Sequence, residues 1–237
     1  YNKAREYYEL LGYKRDIADI TMKIASAIDR NTKNREEKVS NEYNKALKLL
    51  LINISTYFRK DRSVSEYDVL EPPLGLIALL SYANHIFGEK IKGRIIKSRV
   101  DFDSYAELNK KIDDFDPDII GVSTMTFHMD FFHKAIKKIR EHGFKKMIIV
   151  GGPHPTTSSQ EVLEDKNIDL CIIGEGEATL AEIIKKLISN GKKRLNYNDV
   201  ININGLAFSE DNFTKLNSKP TNNIFLEPYN KLGYSGI

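Results

Sequence analysis

KKMIIVGGPHPTTSSQEVL, residues 145–163, decides the fold. Met147 to Val150 is a wholly apolar run, too short for a helix and closed by glycine, and it reads as a buried parallel strand. Gly151 and Gly152 end that strand, and Ser158/Ser159 ahead of Gln160 to Leu163 offer an N-cap for a following helix. Two glycines at the carboxyl end of a central strand let a flat or bulky ligand lie against bare backbone. The same pair also suits a tight strand-to-helix turn that meets no ligand.

Working outward, short apolar runs alternate with helical patterns. Leu49–Ile54 reads as the first strand, Ile91–Val100 as the second, the stretch entered through Asp116–Ser123 as the third, 145–150 as the fourth and Asp169–Ile173 as the fifth. Between them lie a helix opened by Pro72-Pro73 and ending near Gly88, an amphipathic helix over Ser104–Phe115, a helix over Thr126–Gly143, and a short helix ending at Val162–Lys166. A long helix over Ala178–Asn190 follows the fifth strand. Five strands alternating with helices predict right-handed crossovers and an α/β doubly wound parallel five-stranded sheet, Rossmann-like or flavodoxin-like. Residues 1–48 read as a helical extension, with Ile17, Ile20, Ile24 and Ile28 at helix-like spacing. Residues 49–192 read as the α/β domain, and 193–237 as a β-hairpin over 200–217 followed by an extended linker.

Ligands of such sheets bind outside the carboxyl ends of the strands, near the switch in strand order. Those ends carry the unusual residues: Pro72-Pro73-Leu74-Gly75, Ser123-Thr124-Met125-Thr126, Gly151-Gly152-Pro153-His154-Pro155-Thr156 and Gly174-Glu175-Gly176-Glu177. The connection 55–71 is longer than a structural turn needs, and long loops at this rim are disproportionately functional. His154 reads as a hydrogen-bonding ligand contact or as a turn residue. His85, His128 and His133 fall in helices and read as solvated or helix-surface groups. Glu175 and Glu177 read as an acid/base pair, or as part of a turn with Glu177 favoured by its helix N-terminus.

Composition bounds the function. Lys+Arg 36 against Asp+Glu 33 gives a net charge of only +3, with no basic stripe interleaved with aromatics, so nucleic acid is not an expected partner. The single cysteine, Cys171, excludes a disulfide framework and a cysteine-built zinc or iron–sulfur centre within the chain, and reads as a small core residue. No apolar segment approaches the ~20 residues that span a bilayer. With no signal-peptide pattern, a cytoplasmic protein without membrane partners is expected. The chain opens on Tyr1 and stops at Ile237 in a loop-like stretch, which reads as a piece of something longer.

With these loops laid out, the chain resembles the cobalamin (vitamin B12)-binding domain that precedes the catalytic barrel of cobalamin-dependent radical S-adenosylmethionine (SAM) enzymes. The resemblance covers residues 49 to about 230 and rests on PPLGLIALLSYAN, DPDIIGVSTMT, IIVGGPHPT and DLCIIGEGEATLAEI, in that order, with the GLAF of the hairpin resembling the family's connector. Methionine-synthase-type cobalamin folds use an Asp-x-His-x-x-Gly loop, then Ser-x-Leu, then Gly-Gly. Ser123-Thr124-Met125 is similar to the second element, with Met for Leu, and Gly151-Gly152 to the third. The first element departs: with Gly75 as its glycine, its aspartate and histidine positions fall on Leu70 and Pro72.

The resemblance implies that Pro73, Leu74, Gly75, Ser123, Thr124, Met125, Thr126, Gly151, Gly152, His154, Gly174, Glu175 and Gly176 surround cobalamin. The glycines would admit its dimethylbenzimidazole tail, and the hydroxyls would serve the tail or the corrin amides. It implies cobalamin held base-off, without a histidine ligand. It further implies that a full-length protein would carry a 4Fe-4S cluster and SAM in a barrel of the same polypeptide, which would act as a methyltransferase or an oxidative cyclase. The cluster's Cys-x-x-x-Cys-x-x-Cys motif is absent here, so this chain would not be catalytic alone. The alternatives are a degenerate module that keeps the fold, binds no cobalamin and serves as a structural or docking domain, and a different doubly wound domain. A receiver would need a phospho-acceptor aspartate where the first strand ends in Asn-Ile-Ser, and a flavodoxin a phosphate loop that Ser55-Thr56-Tyr57 offers only faintly.

Overall fold

A computed structural model describes residues 46–54, 57–59, 71–191, 194–210 and 213–216. The helical reading of residues 1–48 lies almost wholly outside the described residues, as do the tail from 217 and most of the 55–71 connection. Alternation of strand and helix produces β1 (Leu47–Ile54), α1 (Leu74–Phe87), β2 (Ile91–Lys97), α2 (Tyr105–Phe115), β3 (Ile119–Thr124), α3 (Met129–Glu141) and β4 (Met147–Gly151). There follow α4 (Pro153–Thr157), α5 (Ser159–Val162), β5 (Leu170–Ile172), α6 (Glu177–Ser189), α7 (Tyr197–Val200), β6 (Leu206–Glu210) and β7 (Phe213–Leu216).

The strands form one sheet in the order β2-β1-β3-β4-β5-β6-β7. The first five are parallel, β2-β1-β3-β4-β5, as the α/β doubly wound reading requires. The hairpin β6-β7 continues the sheet antiparallel from β5. It is shorter than the expected 200–217 span, because Asn196 and Asp199 form a capping box that winds Tyr197–Val200 into a helical turn. The stretch after Gly152 also differs from expectation. Pro153 starts α4 directly, and Ser158 makes no side-chain cap; proline's fixed φ suits a first helical position.

Each sheet face buries its own cluster. Leu50, Ile52, Ile120, Val122, Ile148 and Val150 pack against α2, α3 and the α4–α5 segment through Leu108, Ile112, Phe132, Ile136 and Val162. The alternate residues Leu49, Leu51, Ile119, Ile149 and Ile172 face α1 and α6 through Leu76, Leu80, Leu180, Ile183 and Ile184. Cys171 sits in the first cluster, where burial pushes its thiol up to about 12.

The crossovers that leave β2, β3 and β4 all run over the first face. On the second face α1 follows β1 and α6 follows β5, and among the described residues no helix follows β3 or β4 on that face. The order reverses between β1 and β3, so this gap coincides with the switch point at which doubly wound sheets take their ligands.

Candidate functional site

The gap is a cavity of about 420 Å³, within the roughly 300–1,000 Å³ of ligand pockets. Its floor is the sheet face of Leu49, Leu51, Ile119, Gly121 and Ile149, its walls are Leu76 and Leu79 of α1 and Leu180 of α6, and its rim is the loops after β3, β4 and β5. The floor is low where side chains are missing. A Cβ on Gly121 would stand 2.6 Å from Leu51 Cδ2, whereas one on Gly151 would make ordinary contact with Ile172 at 3.6 Å.

Gly152 has φ of +100°, which L side chains rarely adopt, and a Cβ there would come 2.7 Å from Ser123 Oγ and 3.3 Å from the Thr124 carbonyl oxygen. Its positive φ turns the chain sharply out of β4 into α4. This keeps the rim of β4 as bare backbone and sets the Ser123 hydroxyl beside it. Ser123 Oγ has no hydrogen-bond partner among the described residues.

Of the residues singled out from sequence, Gly75, Ser123, Gly151, Gly152, Gly174, Glu175 and Gly176 line the cavity. Pro73, Leu74, Thr124, Met125, Thr126 and His154 do not. Leu74 and Met125 stand exposed at the rim, and Thr126 begins a 3-10 turn. Thr124 is buried, and its hydroxyl donates to the Ile54 carbonyl at 2.8 Å, tying together the ends of β3 and β1.

His154 points to the opposite face. It is 1% exposed, packs edge-on against Phe132 with centroids 6.2 Å apart, and lies near His133, whose Nδ1 meets Asp165 Oδ2 at 2.8 Å. The turn that starts α4 at Pro153 is what swings it behind the sheet. Neither ring nitrogen of His154 has a partner among the described residues. Burial, reinforced by His133 and opposed by Glu161, lowers its pKa.

This has a consequence in acid. Above pH ~6.5 His154 is neutral folded and unfolded, and stability does not depend on it. Below that value the unfolded chain takes a proton that the native state resists, so stability falls until the depressed native pKa is reached. His154→Phe is expected to flatten this step in melting temperature between neutral pH and pH 5. Asp165, whose pKa is lowered, contributes only nearer the ordinary carboxylate range. An unchanged pH profile would overturn the assignment.

Several lining residues fall outside the set that the resemblance implies, although Thr156 and Glu177 stood in the rim loops picked out from the sequence. Gly121 looks like an ordinary strand residue, and only its register beside Leu51 gives it meaning. Thr156 Oγ1 accepts from the Gly174 N–H at 3.1 Å, fastening the loop after β4 to the loop after β5. Glu177 lines the wall at 8% exposed. Burial raises its pKa, the charge of Glu175 adds to this, and a bond from its own N–H opposes it. Among the described residues no histidine lines the cavity. None of them forms a cluster of three or more His, Cys, Asp or Glu able to hold a metal ion, and no helix among them is long and apolar enough to cross a membrane.

Comparison with known proteins places this geometry. The model of the B12 binding domain family matches residues 69–184. An uncharacterized methyltransferase of Pyrococcus horikoshii is 32% identical over 171 residues, covering 70% of this chain and 34% of the relative. The anaerobic magnesium-protoporphyrin IX monomethyl ester cyclase of Cereibacter sphaeroides is 29% identical over 91 residues, 38% of this chain and 15% of that protein. The chain thus spans about a third or less of these relatives.

Among solved structures, the cobalamin-dependent SAM radical enzyme OxsB with aqua-cobalamin and SAM bound superposes with a TM-score of 0.59 at 22% identity, over 78% of this chain and 24% of that one. The radical SAM methyltransferase TsrM from Kitasatospora setae, with cobalamin and a 4Fe-4S cluster bound, gives 0.57 at 18%, over 74% and 29%. At those identities the likeness is one of fold. Residues 69–184 thus match the B12 binding domain model, and together with β1 they build the sheet order and the cavity at its switch point.

Proposed function

We propose that the chain is the cobalamin-carrying module of a radical SAM enzyme, a methyltransferase or an oxidative cyclase whose barrel lies elsewhere in the same polypeptide. The observation that carries this reading is the cavity over β3 and β4, apolar in its floor, bounded by bare backbone at Gly151 and Gly152, in a chain whose residues 69–184 match the B12 binding domain model. The nucleotide tail would occupy the cavity between Leu51, Gly121, Ile149 and the walls of α1 and α6. Ser123, with an unspent hydroxyl, fits a polar atom of that tail. The loops of Gly75 and Gly174–Gly176 would border the corrin.

Bound cobalamin would supply methyl-group or redox chemistry to the barrel; the protein supplies binding, orientation and exclusion of water. A cytoplasmic location and a partner barrel with a 4Fe-4S cluster and SAM belong to the same proposal.

Titration of the purified chain with aquacobalamin, followed by gel filtration and corrin absorbance, tests it. Equimolar retention is expected. A chain that retains only the fold, as a docking or structural module, would let all corrinoid pass.

Base-off coordination without histidine is part of the reading, because Pro72 stands at the histidine position and no histidine among the described residues lines the cavity. Electron paramagnetic resonance of the cob(II)alamin complex is expected to lack nitrogen superhyperfine splitting. A triplet from an axial nitrogen would overturn this coordination.

A further inference from the structure

Four adjacent strands place one residue each in a row at their carboxyl ends. In-register pairing sets Lys97 of β2 beside Asn53 of β1, Asn53 beside Ser123 of β3, and Ser123 beside Gly151 of β4. Partners in a parallel ladder share a face, and this face is the one that carries the cavity. The parallel row two residues earlier, Ile95, Leu51, Gly121 and Ile149, has no polar side chain. The sheet therefore passes from an apolar floor to a polar step of amine, amide and hydroxyl, of which Ser123 lines the cavity and Asn53 and Lys97 extend the row beyond it over β1 and β2. With strands ~4.8 Å apart, the step spans about 10 Å from Lys97 to Ser123.

Lys97 is 5% exposed, and its Nζ donates to Asn53 Oδ1 at 3.0 Å. An ammonium has donors only, so this bond determines which end of the amide is oxygen and leaves Nδ2 as the other end. Neither Asn53 Nδ2 nor Ser123 Oγ has a hydrogen-bond partner among the described residues. Burying a lysine is costly, and here burial lowers its pKa to about 8 although Glu71 and Asp101 act to raise it. A buried cation that holds an amide with its donor end unspent, beside an unspent hydroxyl, suits a ligand rich in acceptor oxygens.

We propose that Asn53 and Ser123 form a hydrogen-bonding shelf, with Lys97 as its positioning residue, that recognises the ribose and phosphodiester of the cobalamin tail where it enters the cavity. This rests on the cobalamin reading above and adds the part of the ligand that is read and the residues that read it. Phosphate and sugar oxygens accept the N–H of Asn53 and the O–H of Ser123, and the charge of Lys97 favours the phosphate. The apolar floor beyond Leu51 and Gly121 then receives the aromatic end of the tail.

The test compares aquacobalamin with diaquacobinamide, the same corrin without ribose, phosphate or benzimidazole, by equilibrium dialysis on the parent, Asn53→Leu, Asn53→Ala and Lys97→Met. The parent is expected to prefer cobalamin by at least about tenfold. Both Asn53 variants are expected to lose most of that preference through weaker cobalamin binding, with cobinamide affinity unchanged. Lys97→Met is expected to lose part of it.

A pH arm separates charge from packing. The parent's preference is expected to decline as pH rises through about 8, and the decline is absent in Lys97→Met. Of the groups facing Lys97, Glu71 and Asp101 are its acidic neighbours and Asn53 does not titrate. If Lys97→Met does not fold, the Asn53 variants decide. Folded Asn53 variants that keep the parent's full preference, or a parent that binds both corrinoids equally, would overturn the shelf. A parent that binds neither corrinoid overturns the cobalamin reading itself, and the shelf with it.

Discussion

Gly151→Leu is expected to fold like the parent and to bind cobalamin roughly 100-fold more weakly or worse, a loss of about 2.7 kcal/mol. Gly151 is the last residue of β4, and a Cβ built on it meets Ile172 Cβ at 3.6 Å and the Ile172 carbonyl oxygen at 3.7 Å, both ordinary contacts. Nothing in the backbone therefore opposes a side chain. The rest of a leucine would have to occupy the cavity that Gly151 lines, where the tail would lie. Because the added methyls meet apolar neighbours, the melting temperature should change little. Cobinamide, which has no tail to displace, should bind Gly151→Leu as it binds the parent. If the variant binds cobalamin unchanged, the tail does not occupy this cavity.

The sheet and the rim were legible in the sequence because each rests on a local signal. Apolar runs such as Ile148–Val150 and Leu49–Ile54 are strands on pattern alone, and glycine and proline mark where they end. The order of the strands was not read from the sequence, because the handedness of crossovers fixes only the face over which each one runs. Side-chain direction at the rim was not legible, because it depends on how the chain turns after each strand. His154 follows the glycines in sequence and reads naturally as a ligand contact. The helical turn from Pro153 instead carries it behind the sheet against Phe132. Thr124 and Ser123 are adjacent, so they lie on opposite faces, and only Ser123 lines the cavity.

Gly121, Asn53 and Lys97 escaped for a different reason. Each is unremarkable in its own segment, and their relation arises from register between residues 44 or 70 positions apart in sequence. The hairpin was found by alternation, but its start was misplaced. Val200 to Asn204 alternates like a strand, while the Asn196–Asp199 capping box competes locally for a helical turn and wins.

Gly152→Val separates the two glycines that the sequence presents as a pair. From sequence alone both read as bare backbone that would admit the tail. The structure gives them different constraints. Gly152 sits at φ +100°, where a β-branched side chain is a genuine outlier, and that strain alone costs of order 1–3 kcal/mol. Its Cβ would also press to 2.7 Å from Ser123 Oγ and 3.3 Å from the Thr124 carbonyl oxygen. The hydroxyl can rotate away, but the carbonyl belongs to a strand tied to β1 through the Thr124 hydroxyl bond to Ile54 and cannot. Overpacking of this kind adds about 1–3 kcal/mol. The sum, about 2–6 kcal/mol, is a large part of the ~5–15 kcal/mol that holds a domain together. Gly152→Val is therefore expected to lower the melting temperature by roughly 5–20 °C, whether or not cobalamin is present at the start of the experiment. The two contributions can be separated. Ser123→Gly in the background of Gly152→Ala removes the 2.7 Å clash and leaves the backbone strain, so it should recover only part of the loss. Full recovery would mean that φ carries no cost here. A melting temperature for Gly152→Val equal to the parent's would show that the turn out of β4 is not the constraint that shapes the rim.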